Sequence, residues 1–169
     1  MKKYNNLKNA SYRVYKKEDF SAILKIFIEF QKESKIGSFY NITKGHSDNF
    51  ITMYLFEELK KLTKNCKHNY VGIDNDTGEI FGFACLTEDV FAKNSLELQL
   101  AFKHPKYIFN RQMKYLMLLL FKKIKKDRKV FAVLGQREKF EKYFKFIKRI
   151  FKVKVYNKDS LGKIYIEFL

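Results

Sequence analysis

The chain has 169 residues, of which 46% are apolar and 31% are charged, and it contains 18 Phe, 11 Tyr and no Trp. A chain of this size and composition can bury about two-thirds of the surface that its unfolded form would expose, which excludes a disordered protein. Its 35 Lys and Arg residues outnumber its 18 Asp and Glu residues, so the formal net charge is +17. Such an excess of positive charge favours acidic partners.

The first elements follow from the spacing of apolar residues. Residues 12–15 alternate as a short strand, and residues 20–30 carry apolar side chains at helical spacing. Asp19 and Ser21 are both candidates for the N-cap of that helix. A second helical pattern starts at Ser47 and Asp48 and ends near Asn65. Two helices are therefore expected after the first strand.

Residues 70–89 carry the clearest β-hairpin pattern of the chain. Two apolar runs flank a polar turn over residues 74–78, and turns of this composition join antiparallel strands. The two strands should therefore be neighbours in a sheet.

The next strand is predicted over residues 95–102, before the single proline of the chain, Pro105. Its side chains alternate, so we expect one face of the strand to be buried. The predicted buried face carries Leu96, Leu98, Leu100 and Phe102. The opposite face carries Glu97, Gln99 and Ala101.

The remaining chain predicts a helix, a strand, a helix and a closing hairpin. These elements cover residues 110–128, 130–134 and 137–150, and the hairpin strands cover residues 151–156 and 163–168. No linker or repeat separates them. We expect one α/β domain over residues 1–169, with a mixed central sheet of about six to seven strands flanked by about four helices.

Positive charge is concentrated in the second half of the chain. Residues 1–102 hold 15 Lys and Arg against 13 Asp and Glu, a balance of +2, whereas residues 103–169 hold 20 against 5, a balance of +15. This half is predicted to bind nucleic acid or an acidic protein, and a solvated face in a Lys-rich chain is the alternative. The predicted contact residues are Lys122, Lys123, Lys126, Arg137, Lys145 and Arg149.

Cysteine usage and apolar run length bear on the compartment. Cys66 and Cys85 are too few for a disulfide framework, which favours a reducing environment. Cys66 and His68 fall short of the four ligands of a structural zinc site, so no metal is expected. The first residues lack a signal-peptide core, and no apolar run reaches the length of a membrane span. We expect a cytoplasmic protein without transmembrane insertion.

The element order, β-α-α-β-β-β-α-β-α-β-β, resembles the GNAT superfamily of N-acetyltransferases over nearly all of the chain. Residues 71–84 look like the second and third strands of that family, where an acidic turn precedes a G-x-I-x-G-F-A pattern. Residues 104–107 look like the h-P-x-Y motif that ends its fourth strand, and residues 143–151 are similar to its closing helix. The resemblance implies a GNAT-like domain.

In that family a glycine-rich loop after the proline motif holds the pyrophosphate of acetyl-coenzyme A (acetyl-CoA), with backbone N–H groups facing the anion. The corresponding stretch here, residues 106–113, contains no glycine, so no cofactor is expected. If acetyl-CoA does bind, Lys106 or Arg111 would supply charge. The backbone amides nearest the pyrophosphate would then be those of Phe109, Asn110, Arg111 and Gln112.

The family often uses a tyrosine of its last helix as general acid and a fourth-strand carboxylate as base. Matching the tyrosine motif puts Phe144 at that position, although Tyr143 is adjacent to it. Glu97 is the candidate base, and an exposed solubilising residue is the alternative interpretation. The resemblance therefore implies Glu97 and Tyr143 as candidate catalytic residues and leaves it open whether the chain is an enzyme.

Two functions follow. The first is a non-catalytic GNAT-like protein that binds through its basic second half. Its closing segment looks like that of small, degenerate GNAT-like proteins of tailed bacteriophages, which implies a virion or morphogenesis protein, with phage structural proteins as partners and the host cytoplasm or the virion as its location. The alternative is an active N-acetyltransferase that transfers acetyl from acetyl-CoA to an amine with an atypical pyrophosphate loop.

Overall fold

A computed structural model describes residues 9–34, 42–88, 94–107, 116–117, 128–134, 144–145, 147–149, 151–158 and 164–169. The strands in this part of the chain are β1 (Ala10–Val14), β2 (His68–Asp74), β3 (Ile80–Glu88), β4 (Ser95–Lys103), β5 (Lys129–Leu134), β6 (Val153–Lys158) and β7 (Ile164–Phe168). The helices are α1 (Phe20–Ser34) and α2 (Asp48–Asn65), and a short 3-10 turn (Lys17–Asp19) precedes α1.

The described strands form one mixed sheet in the order β1-β2-β3-β4-β5-β7-β6. Strands β4 and β5 are parallel, and the other neighbouring pairs are antiparallel. The predicted mixed α/β sheet is therefore confirmed. Residues 116–117, 144–145 and 147–149 are helical and lie inside the two later predicted helices, whose other residues are almost all outside the described ranges.

Helix α2 begins and ends where its sequence predicts. The Ser47 hydroxyl accepts a hydrogen bond from the backbone N–H of Phe50 at 3.3 Å, as an N-cap does. Leu55 and Leu59 are fully buried, and they belong to the core between the helices and the sheet. Each such side chain stabilises the fold by about 2 kcal/mol.

The entry to α1 differs from the prediction. The Asp19 carboxylate accepts two hydrogen bonds from the Arg13 guanidinium, at 2.6 and 2.7 Å, and one from the backbone N–H of Lys16 at 2.8 Å. These bonds run back to β1 and to the 3-10 turn. Asp19 therefore closes the turn before α1 instead of capping the helix.

Two hydrophobic cores lie on opposite faces of the sheet. The helix-side core, which packs against α1 and α2, includes Ile23, Phe27, Leu55, Val71, Phe83 and Phe102. The second core includes Tyr70, Phe81, Leu86, Leu96, Tyr107 and Leu116. The sheet is thus buried on both faces around β3 and β4, which holds these strands firmly in place.

The predicted hairpin is confirmed as β2 and β3, and one glycine in it is required by packing. A Cβ atom on Gly72 would lie 2.3 Å from Cζ of the buried Phe81 ring. No larger residue fits there unless Phe81 moves.

Strand β4 contains a β-bulge that its alternation did not predict. Residues 85–86 of β3 pair with residues 98 and 100 of β4, which leaves Gln99 as the extra residue. The extra residue reverses the alternation, so the prediction of one buried face is wrong. Leu96 and Leu98 pack with the second core, whereas Leu100 and Phe102 pack with the helix-side core.

Candidate functional site

The sheet divides between β4 and β5. The described parts of the two strands pair at one end only, through Ser95 with Lys129, Leu96 with Val130 and Glu97 with Phe131. Beyond these pairs β4 continues beside β3, and β5 continues beside β7. We call the space between residues 98–103 of β4 and residues 132–134 of β5 the β4–β5 opening.

One edge of β4 borders this opening. Over residues 98–103, the described strands pair with β4 on its β3 side alone. A strand edge of this kind presents backbone N–H and C=O groups that an extended ligand can bind as an added strand does.

Glu97 lies at the point where the strands part. It pairs with Thr87 on one side and with Phe131 on the other, and it is half-buried. Since Leu96 packs with the second core, alternation directs the Glu97 side chain to the face that α1 and α2 cover. The candidate base is therefore located at the closed end of the opening, and its catalytic role stays a prediction.

Arg128 holds the joined end of the two strands. Its guanidinium donates to Glu88 on β3, with Nη1 and Oε1 3.2 Å apart, and to the backbone carbonyl of Ser95 at 3.1 Å. The Lys67 ammonium also lies 3.3 Å from Glu88. The hydrogen bond from Arg128 lowers the pKa of Glu88. Strands β3, β4 and β5 are thus tied together where the opening ends.

The chain leaves β4 through a turn that hydrogen bonds fix. The backbone N–H of His104 donates to the carbonyl of Phe81 at 2.7 Å, and that of Tyr107 donates to the carbonyl of His104 at 3.1 Å. The Lys103 ammonium donates to the carbonyl of Tyr107, and burial lowers the pKa of Lys103. Hydrogen bonds therefore hold the turn from the end of β4 to Tyr107.

Side chains connect the same turn to its neighbours. The Tyr107 hydroxyl donates to Oδ2 of Asp74 at 2.7 Å in a buried contact, and His104 Nε2 lies 3.2 Å from Oε2 of Glu29 on α1. Burial and the Asp74 carboxylate raise the pKa of Tyr107, which keeps the hydroxyl protonated as a donor. Sequence reasoning missed the Asp74 contact, since it joins positions 33 residues apart.

Lys106 is paired within the protein. Its ammonium forms an ion pair with Glu79 and lies 5.1 Å from the centre of the Tyr107 ring. The hydrogen bond from Lys106 lowers the pKa of Glu79. Its charge is therefore directed at Glu79 and Tyr107, which makes it a weaker source of charge for a cofactor than the sequence suggested.

The C-terminal half of α1 lies over the end of β4. The Phe27 and Phe30 rings lie 5.0 and 6.0 Å from the Phe102 ring. Gln31, one turn after Phe27, is 4% exposed, and its Oε1 has no hydrogen-bond partner in the described structure. Leaving such an acceptor unpaired costs about 1–3 kcal/mol, which marks it as a candidate ligand contact. The sequence could have identified Gln31, because it is a polar residue at a position where the helical spacing of α1 predicts a buried side chain.

Two residues of the predicted basic contact surface lie within the described ranges. Lys145 and Arg149 are exposed on helical residues. Two other basic residues are paired, Arg128 with Glu88 and Lys129 with Glu167. The basic contact surface therefore stays a prediction. The predicted site residues outside the described ranges are Phe109, Asn110, Arg111, Gln112, Lys122, Lys123, Lys126, Arg137 and Tyr143.

The described residues contain neither a cluster of metal ligands nor a helix that could span a membrane. In the ranges that the structure describes, no three His, Cys, Asp or Glu residues are grouped so that they could hold a metal ion. None of the helices seen there has the length and apolar character needed to span a membrane.

Solved acetyltransferases share this arrangement of strands and helices. The PaiA N-acetyltransferase of Thermoplasma acidophilum, solved in complex with coenzyme A, gives a TM-score of 0.64 at 16% identity, over 95% of this chain and 98% of that one. A GNAT-family acetyltransferase of Staphylococcus aureus gives 0.63 at 15% identity, over 94% and 98%. One of Streptococcus pneumoniae gives 0.62 at 12% identity, over 95% and 98%. The chain has the GNAT fold.

The GNAT fold confirms the resemblance at the level of architecture. No protein-family model matches the sequence, and no curated protein matches it. At identities of 12–16%, structural similarity establishes the fold but not the activity, the ligands or the partners. The likeness to bacteriophage proteins, the partners and the expected lack of a cofactor stay predictions.

Proposed function

We propose that this GNAT-fold chain binds acetyl-CoA at the β4–β5 opening and transfers its acetyl group to an amine. The observation that supports this most is the separation of two parallel strands after Glu97 and Phe131. A gap of this kind does not stabilise a sheet, because neighbouring strands normally satisfy each other's backbone hydrogen-bonding groups. We therefore interpret the gap as a place for a ligand. The titration described below tests the proposal.

The edge of β4 fits the arm of the cofactor. The arm between the thioester and the pyrophosphate is extended and carries amide groups, which suit the backbone groups of a strand edge. Residues 98–103 supply this edge, which includes the bulge at Gln99, and pairing with β3 holds it from the other side. Bound acetyl-CoA would supply the acetyl group as an activated thioester.

Two side chains suit the acceptor amine. A protonated amine must lose a proton before it attacks, and the Glu97 carboxylate at the closed end of the opening is a suitable base. An amine is also a hydrogen-bond donor, and the buried Oε1 of Gln31 is an acceptor that lacks a donor among the described residues. Both lie on the face of the sheet that α1 and α2 cover.

Acetyl-CoA binding is tested by calorimetric titration and by thermal unfolding of the full chain. A ligand at a hundred times its dissociation constant adds about 2.7 kcal/mol to the free energy of unfolding. Adenosine 3′,5′-bisphosphate is the matched control ligand, because it carries phosphates without the arm and should bind more weakly. The absence of both heat and stabilisation with acetyl-CoA would contradict the proposal.

The role of Glu97 is tested by Glu97→Gln in an assay of CoA thiol release with a panel of primary amines. Loss of a general base should lower kcat by about 100-fold or more while the affinity for acetyl-CoA stays the same. Glu57→Gln, on the exposed side of α2, is the matched control and should leave kcat unchanged. Equal kcat values for Glu97→Gln and the control would remove Glu97 from the reaction.

A non-catalytic binding protein is the second candidate, and the lack of glycine in residues 106–113 favours it. Under this alternative acetyl-CoA does not bind, and the basic second half contacts an acidic partner. Binding to DNA or RNA would then weaken steeply as salt is raised, because phosphate contacts release counterions. Acetyl-CoA binding together with salt-independent behaviour on nucleic acid would exclude it.

A further inference from the structure

Two thiols meet inside the helix-side core, where the end of α2 packs against β3. Cys66 follows the last residue of α2 and is 6% exposed, and Cys85 lies in the middle of β3 and is fully buried. Both are free thiols of one core cluster, and each thiol affects the ionisation of the other. Asn69 holds them together, since its backbone pairs with Cys85 and its side-chain amide donates to the carbonyl of Cys66 at 3.0 Å.

We propose that Cys66 and Cys85 form a redox modification site, a dithiol that hydrogen peroxide or an organic hydroperoxide converts to a disulfide. Asn69 already links the two residues within one core cluster, so bringing their sulfur atoms to the disulfide distance of about 2.05 Å is a local change. Cys66 is the point of access, because the end of a helix opens more readily than the middle of a sheet.

The order of reaction follows from the two environments. The hydrogen bond from Cys85 lowers the pKa of Cys66, and burial raises the pKa of Cys85. Cys66 therefore provides the attacking thiolate, and Cys85 resolves the product.

The chemistry balances with one peroxide. The Cys66 thiolate attacks a peroxide oxygen, an S–O bond forms, the O–O bond breaks, and hydroxide leaves. Cys85 then attacks the sulfur of the Cys66 sulfenic acid, the S–S bond forms, and the S–O bond breaks. The Cys85 proton leaves with the oxygen as water. Two thiols are oxidised by two electrons, and the peroxide is reduced to two waters.

The disulfide would connect α2 to the strand pair beside the β4–β5 opening. Cys85 pairs with Leu100, next to the bulge residue Gln99. The site stands on these contacts and does not depend on acetyl-CoA binding.

Peroxide treatment of the full chain, followed by alkylation of the remaining thiols and peptide mass mapping, tests the site. We expect peptides containing Cys66 and Cys85 to be joined, with the loss of two hydrogen atoms and full reversal by dithiothreitol. In Cys85→Ser the sulfenic acid of Cys66 has no resolving partner, so labelling by dimedone should be several-fold stronger than in the unchanged chain. In Cys66→Ser we expect Cys85 to stay reduced at the same dose.

The site is overturned if both thiols of the unchanged chain remain alkylatable at a dose that produces dimedone labelling in Cys85→Ser. It is also overturned if the joined peptides come from two different molecules. The mapping of the unchanged chain needs no variant to fold. Because no step uses acetyl-CoA, failure here is distinct from failure of the proposed function.

Discussion

The Arg13 and Asp19 side chains illustrate how single residues set stability here. Asp19 is 7% exposed, and its carboxylate is satisfied by Arg13 and by the backbone of Lys16. The hydrogen bonds from Arg13 lower the pKa of Asp19 in the folded chain. The pair therefore stabilises the fold above the unfolded-state pKa of about 3.9, and this contribution is lost as the pH falls through the lower folded value.

Asp19→Asn should lower the free energy of unfolding by about 2 kcal/mol at pH 7, because the charge-assisted hydrogen bonds are lost and solvent screens part of the effect at Arg13. Urea unfolding at pH 7 and at pH 3 measures the difference in the free energy of unfolding between this variant and the unchanged chain. Asp48→Asn, which removes a carboxylate that is 78% exposed, should cost about 0.5 kcal/mol. Equal losses for the two variants would mean that Asp19 behaves as an ordinary surface residue.

Tyr107→Phe tests the buried contact that joins the turn after β4 to the β2–β3 hairpin. Asp74 loses its donor, so the free energy of unfolding should fall by about 2 kcal/mol at pH 7. Since the folded pKa of Tyr107 is raised, its contribution is present below pH about 10 and is lost as the pH rises further. Denaturant unfolding at pH 7 and at alkaline pH measures both effects. Tyr165→Phe, at a half-buried tyrosine of β7, should have a smaller effect.

At the scale of elements, the bulge in β4 decides which core each side chain enters. Deleting Gln99 would remove the extra residue and make Leu98 and Leu100 consecutive, so strict alternation would keep Leu100 and Phe102 in the helix-side core. Deleting Ala101 instead would leave the bulge in place and turn Phe102 away from that core. Removing Phe102 from contact with Phe27 and Phe83 should cost about 3 kcal/mol or more.

Thermal unfolding compares the Ala101 deletion with the Gln99 deletion, which keeps the face of each core residue. The Gln99 deletion should stay within about 1 kcal/mol of the unchanged chain. An Ala101 deletion as stable as the Gln99 deletion would show that the bulge does not decide which core Phe102 enters.

The sequence predicted elements whose signals are local. The hairpin of β2 and β3 follows from its turn residues, and Ser47 marks the start of α2 to the residue. The bulge could not be predicted in the same way, because an extra residue is defined only against the partner strand. The need for glycine at position 72 could not be predicted either, because it arises from the close approach of Phe81 on the neighbouring strand.

The candidate site was predicted in part. Glu97 was identified from its strand and a family resemblance, and it does lie where β4 and β5 part. The sequence did not predict the buried acceptor of Gln31 or the contact between Tyr107 and Asp74. Both features depend on burial and on contacts between distant parts of the fold. Long-range contacts of this kind depend on how elements pack, which periodicity does not encode.

At the scale of the whole molecule, the sheet consists of two parts joined at one end. Strands β1 to β4 form one part, and β5, β7 and β6 form the other, with three residue pairs between them. Arg128 fixes the joined end, and beyond it the described residues of β4 and β5 do not pair with each other. The formal net charge of +17 would attract a cofactor that carries phosphates at long range.

Amide hydrogen exchange, measured with and without acetyl-CoA, tests this account most directly. We predict that acetyl-CoA slows exchange along residues 98–103 of β4, since its arm would cover that edge, while exchange in β1 at the far edge of the sheet stays the same. Unchanged exchange in β4 at a saturating concentration of acetyl-CoA would contradict the account.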